Sequence, residues 1–84
     1  MVPLTYSGGD GSSKEQAVII RGARDTQAGI AAENAWIRQR YPGSQKTMQA
    51  LETAGGKQYD VIKFTTADGQ TRIIYFDITD FFGK

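Results

Sequence analysis

The sequence predicts one small α+β domain: a single helix packed on an antiparallel sheet, in the order β-α-β-β-β. Three observations carry that expectation. Ala17-Val18-Ile19-Ile20 is a β-branched run closed by Gly22. The stretch from Asp25 to Pro42-Gly43 has a side-chain cap at its start and a proline–glycine stop at its end. Two alternating segments, 58–66 and 71–79, flank the turn sequence Ala67-Asp68-Gly69-Gln70.

Taken in order, residues 1–15 are loop-rich, and Ser7-Gly-Gly-Asp-Gly-Ser-Ser13 has almost nothing to bury. Gln16 to Gly22 forms a short strand covered on both faces. Asp25 caps a helix over 26–40, since the residue before Pro42 avoids the helical region. At 100° per residue, Ile30, Ile37 and Tyr41 fall on one side of this helix. Ala28, Ala32, Ala35 and Trp36 fall on another, with Glu33 and Arg40 on the flank between. Trp36 is expected to be buried or to meet a partner. Residues 46–53 are a weaker strand ending at Ala54-Gly55-Gly56-Lys57. Phe81 and Phe82 pin the C-terminus. The whole chain, 1–84, is one domain without internal repeats.

Reading Asp68-Gly69 as a two-residue type I′ turn sets a register in which facing residue numbers add to 137. Val61 then faces Phe76, Lys63 faces Ile74 and Tyr59 faces Ile78, a face suited to the helix. The other face pairs Ile62 with Tyr75, Phe64 with Ile73, and Asp60 with Asp77. One helix cannot cover both faces. Either the N-terminal loop and the Phe81-Phe82 tail fold over the second, or Ile62, Phe64, Ile73 and Tyr75 form a patch for a protein partner or a second copy.

Facing aspartates destabilise a ladder. Asp60 and Asp77 therefore call for hydrogen-bond donors or a hard cation, and the amides and hydroxyls of Gly8–Ser13 are the expected donors. The loop is thus predicted to be ordered against that end of the sheet.

Composition excludes much chemistry. There is no Cys and no His, which removes thiol catalysis, disulfides, soft-metal sites and histidine-based triads. Ten basic residues stand against nine acidic ones, and the charge is spread evenly, so no stripe awaits a phosphate backbone. Gly8–Lys14 lacks the spacing of a phosphate loop, and Asp10 is the lone carboxylate there until Glu15. The expectation is a non-enzymatic interaction module with no cofactor and no metal. The alternative is a single-strand nucleic-acid binder that stacks bases on Tyr75 and Phe64, although Lys63 and Arg72 lie on the opposite face in this register. No apolar run approaches the length of a signal peptide or membrane span, and a cytoplasmic location is expected.

Ser7–Ser13 with Ala17–Ile20, Tyr59-Asp-Val-Ile62, Tyr75-Phe-Asp-Ile78 and the closing Phe81-Phe-Gly-Lys84 together resemble a group of short bacterial proteins of similar length. Some of that group are terminal modules of longer chains, and no function is assigned to them. The resemblance implies a bacterial origin and a free-standing domain, and it transfers no catalytic or ligand residue.

Overall fold

A computed structural model describes residues 4–83. The elements are β1 (Thr5–Gly8), β2 (Val18–Arg21), α1 (Thr26–Arg40), β3 (Gln45–Ala54), β4 (Lys57–Thr65) and β5 (Thr71–Asp77). The five strands form one sheet in the order β1-β2-β5-β4-β3, with the helix against one face. This is the expected α+β class with two differences. A strand, β1, lies where the sequence suggested only loop, and residues 1–3 of that segment lie outside the described residues. The sheet is also mixed, because β2 runs parallel to β5. The helix carries the chain from β2 to the far edge, and the β3-β4-β5 meander then returns to bring β5 alongside β2.

The helix has the expected bounds. Asp25 Oδ1 accepts from the Ala28 amide at 2.8 Å, and the Tyr41 amide closes the last turn on the Ile37 carbonyl at 2.7 Å. Arg38 and Arg40 sit in the last turn, where cations suit the helix dipole. The buried stripe is Gly29, Ala32, Glu33, Trp36 and Ile37. Their spacing is the repeat of a single face. The expected second apolar side therefore does not form, and Ile30 is only partly buried.

Beneath that stripe lie Val18, Ile20, Ile62, Phe64, Ile74, Phe76 and Ile78. The Trp36 ring meets Phe76 edge-on with centroids 5.4 Å apart, and the Arg40 guanidinium lies 4.3 Å from the Trp36 ring centre. Tyr41 closes the far end against Phe64 at 5.1 Å. Phe81 enters the same core from the C-terminal tail, packed on Gly29, where a Cβ would run into its ring. Tyr6 reaches from β1 across to the helix, its hydroxyl donating to the Ala32 carbonyl at 2.9 Å.

The β4–β5 turn decides which residues enter this core. The Thr66 amide donates to the Gln70 carbonyl at 2.7 Å, and the Gly69 amide to the Thr66 carbonyl at 2.9 Å. Gly69 has φ +88°, the left-handed conformation that closes a three-residue loop with a bulge. Facing residues in β4 and β5 consequently add to 136, as in Ile62 with Ile74. The expected two-residue turn gave 137. That single-residue slip moves one strand's side chains to the opposite face relative to its neighbour. The β3–β4 connection, by contrast, is a two-residue turn at Gly55-Gly56, both with positive φ.

Candidate functional site

The corrected register separates the residues expected to act together. Ile62 and Phe64 are fully buried under the helix, while Ile73 and Tyr75 lie on the opposite, open face. The four do not form one patch. Nor do Asp60 and Asp77 face one another: Asp60 pairs with Phe76 on the helix side, and Asp77 pairs with Tyr59 on the open side. Each is satisfied separately. Asp77 Oδ1 accepts from the Thr79 amide at 3.0 Å and the Thr79 hydroxyl at 2.7 Å. Asp60 Oδ2 accepts from the Gln49 amide group at 3.0 Å.

The expected bonds from Gly8–Ser13 to Asp60 and Asp77 do not form, and the segment is held by other bonds. Gly9 and Gly11 donate to the carbonyls of Ala17 and Gln16, and the Gly11 carbonyl accepts from the Tyr75 amide at 2.7 Å. Ser12 and Ser13 serve local turns, Ser12 through its amide on Asp10 and Ser13 as an acceptor for Gln16. None of these groups bonds Asp60 or Asp77.

Three central cross-strand rows lie on the open face of β3, β4 and β5, between Gln45–Thr65–Thr71 at one end and Ala54–Lys57 at the other. They are Met48–Lys63–Ile73, Ala50–Val61–Tyr75 and Glu52–Tyr59–Asp77. The chain covers only the last. Lys14, on the loop between β1 and β2, reaches the far strand and pairs with Glu52 at 2.8 Å, which raises the lysine's pKa. At this end Tyr59 is 7% exposed. At the other end Met48 is 54% and Ile73 47% exposed. Of the two expected covers, then, the N-terminal loop closes part of the face, whereas the Phe81 side chain goes to the helix side. Sequence reasoning gave Met48 no part in a site, because the strand register that sets it in one row with Lys63 and Ile73 depends on the turns.

Residues on the helix side of the sheet edge form a second cluster. Glu33 is completely buried, and no donor among the described residues reaches either carboxylate oxygen. Burial, reinforced by Asp60, pushes its pKa up to about 10, against a smaller opposing effect of Lys46. Glu33 is therefore a neutral acid at neutral pH, able to donate its proton to the Asp60 carboxylate. Lys46 Nζ donates to Gln49 Oε1 at 2.8 Å, so a chain of hydrogen bonds runs from the surface ammonium through Gln49 to Asp60. Sequence analysis placed Glu33 on a helix flank. Its position four residues after Gly29 and three before Trp36 was the available signal that it shares the buried stripe.

A groove of about 240 Å³ at the end of the open face is bounded by Ile19, Arg21, Lys57, Asp77, Thr79 and Asp80. Its aspartates already accept protein donors, Asp80 from the Gly22 amide at 3.1 Å. Among the described residues, no three His, Cys, Asp or Glu are grouped to hold a metal ion, and no helix is long and apolar enough to cross a membrane. Comparison with family models, with curated proteins and with solved structures finds no match to this chain.

Proposed function

We propose that this domain is a non-enzymatic interaction module that buries the Met48–Ile73 end of its open sheet face against another protein. One contrast carries the reading. Where the chain's own loop crosses this face, Tyr59 is 7% exposed; where it stops, Met48 and Ile73 are half exposed beside Val61 and Tyr75. The uncovered end carries Met48, Ile73 and Val61 around Lys63, the middle residue of its row, with the Lys14–Glu52 pair at its border. The nucleic-acid alternative is weaker, since Phe64, one of its two stacking platforms, is in the core and only Tyr75 remains on the face.

The test is affinity capture from the source cell, with the parent and with Ile73→Asp and Met48→Asp as baits. A protein retained by the parent and lost by both variants, which still melt cooperatively, is the expected result. If nothing captured depends on these two positions, the reading fails. A labelled mixed-sequence oligonucleotide at low salt is expected to keep its free anisotropy in the presence of the domain. A salt-reversible rise would favour the nucleic-acid reading instead.

A further inference from the structure

The outer edge of β3 is the longest free edge of the sheet, and its geometry is self-complementary. Ile78 donates to the Gln58 carbonyl and Thr66 to the Gln70 carbonyl, so the even-numbered residues of β4 bond towards β5. Its odd-numbered residues then bond towards β3, where their partners are Met48, Ala50, Glu52 and Ala54. The intervening residues, Gln49, Leu51 and Thr53, turn their amides and carbonyls outward. The regular segment Met48–Ala54 is bounded by the irregularity between Lys46 and Met48 at one end and by the Gly55-Gly56 turn at the other. Its middle residue is Leu51, whose side chain is 54% exposed.

From this we infer that a second copy of the chain pairs antiparallel with the β3 edge, about a two-fold axis at Leu51. Gln49 then faces Thr53 of the second copy, Leu51 faces its own counterpart, and Met48 faces Ala54. The irregular position Thr47 falls opposite the turn glycine Gly55, so pairing stops at both ends where the strands stop being regular. Each of the outward-facing pairs exchanges two hydrogen bonds, as a narrow antiparallel pair requires. A two-fold axis placed on Ala50 instead would centre a residue whose backbone groups already point inward, and would leave Thr53 facing the irregular Thr47. The exposed Leu51 side chains cover one another. Ala50 faces Glu52, so no like charges are opposed directly. Natural edges are blocked by charge, proline or bulges, and here the irregularity and Lys46 protect one end only. This surface shares Met48 with the Met48–Ile73 face but not Ile73, which lies two strands away on β5, so Leu51 and Ile73 variants let the two proposals fail separately.

The test is sedimentation of the intact chain from micromolar to millimolar concentration. Leu51→Pro removes one outward amide and no bond to β4, and an edge strand tolerates the ring. Leu51→Lys places like charges at the axis without altering backbone donors. The parent is expected to dimerise with increasing concentration. Both variants should raise the dissociation constant by about tenfold or more while unfolding near the parent temperature. Ile73→Asp should leave the dimer unchanged. A parent that stays monomeric at millimolar concentration overturns the proposal, even if the edge accepts a foreign extended peptide. So does a dimer that both Leu51 variants retain, or one that Ile73→Asp alone abolishes.

Discussion

Glu33 holds a proton that its solution counterpart would have lost. Its pKa of about 10 lies far above the ordinary 4.5, because burial disfavours the charged form and the Asp60 carboxylate adds to that effect. A raised folded pKa means that the folded chain binds more protons than the unfolded one between these values. The stability contributed by the protonated acid is full below about pH 4.5 and is lost progressively as pH rises towards 10. Glu33→Gln keeps the size and a donor for Asp60 but cannot ionise. Melting curves across that window should show the parent falling and the variant nearly flat. At neutral pH the variant should be more stable, by about 1 kcal/mol or more. Glu33→Leu, which strips Asp60 of its buried neighbour and fits the space poorly, should lower stability instead. The groups facing Glu33 that could reshape the curve are Asp60 and, more distantly, Lys46. At Glu33 the sequence was partly legible. Its spacing put it near the buried stripe, but a carboxylate is rarely buried unpaired, and the neighbour that permits it comes from β4.

Local rules worked for the helix and failed at one turn. Asp25, Arg38, Arg40 and Pro42-Gly43 act within a few residues, so the bounds 26–40 could be read from the chain alone. The Asp68-Gly69 pair is compatible with two hairpin turns that differ by one residue. Nearby polar groups select the longer one, with the Gln70 amide donating to the Thr66 hydroxyl at 3.0 Å. Because side chains alternate at every residue, that one-residue difference moved Ile62 and Phe64 into the core and left Ile73 and Tyr75 on the open face. Deleting Ala67 would leave Asp68-Gly69 as a two-residue loop between Thr66 and Gln70 and keep Ile62 opposite Ile74. Circular dichroism and thermal melting should then show the cooperative fold retained. Gly29→Ala tests a different close approach, since the new methyl group would meet the Phe81 ring. The gain in helix propensity is about 1 kcal/mol and the overpacking cost about 1–3 kcal/mol, so a net loss is expected in chemical denaturation. Phe81→Ala should cost more, about 3–5 kcal/mol, by leaving a cavity under the helix.

Across the whole molecule, the mixed sheet joins the two ends of the chain. The class, one helix on one sheet, followed from counting apolar segments. β1 did not, because Thr5-Tyr-Ser-Gly8 is exposed at every position and has no alternation to announce a strand. It is held by its pairing with β2 and by the Tyr6–Ala32 hydrogen bond. Deleting residues 1–8 should therefore leave β2 as a bare apolar edge, seen as a lower melting temperature and concentration-dependent light scattering. The parallel partnership of β2 with β5 also bears on synthesis. A nascent chain can form its helix and even the β3–β4 hairpin early, but β2 gains its inner neighbour only when Phe76 and Asp77 have emerged. The sheet consequently closes only once β5 has cleared the ribosomal exit tunnel. As a ribosome-bound fusion, the domain should gain protease resistance only once a C-terminal extension is long enough to carry β5 clear of the tunnel.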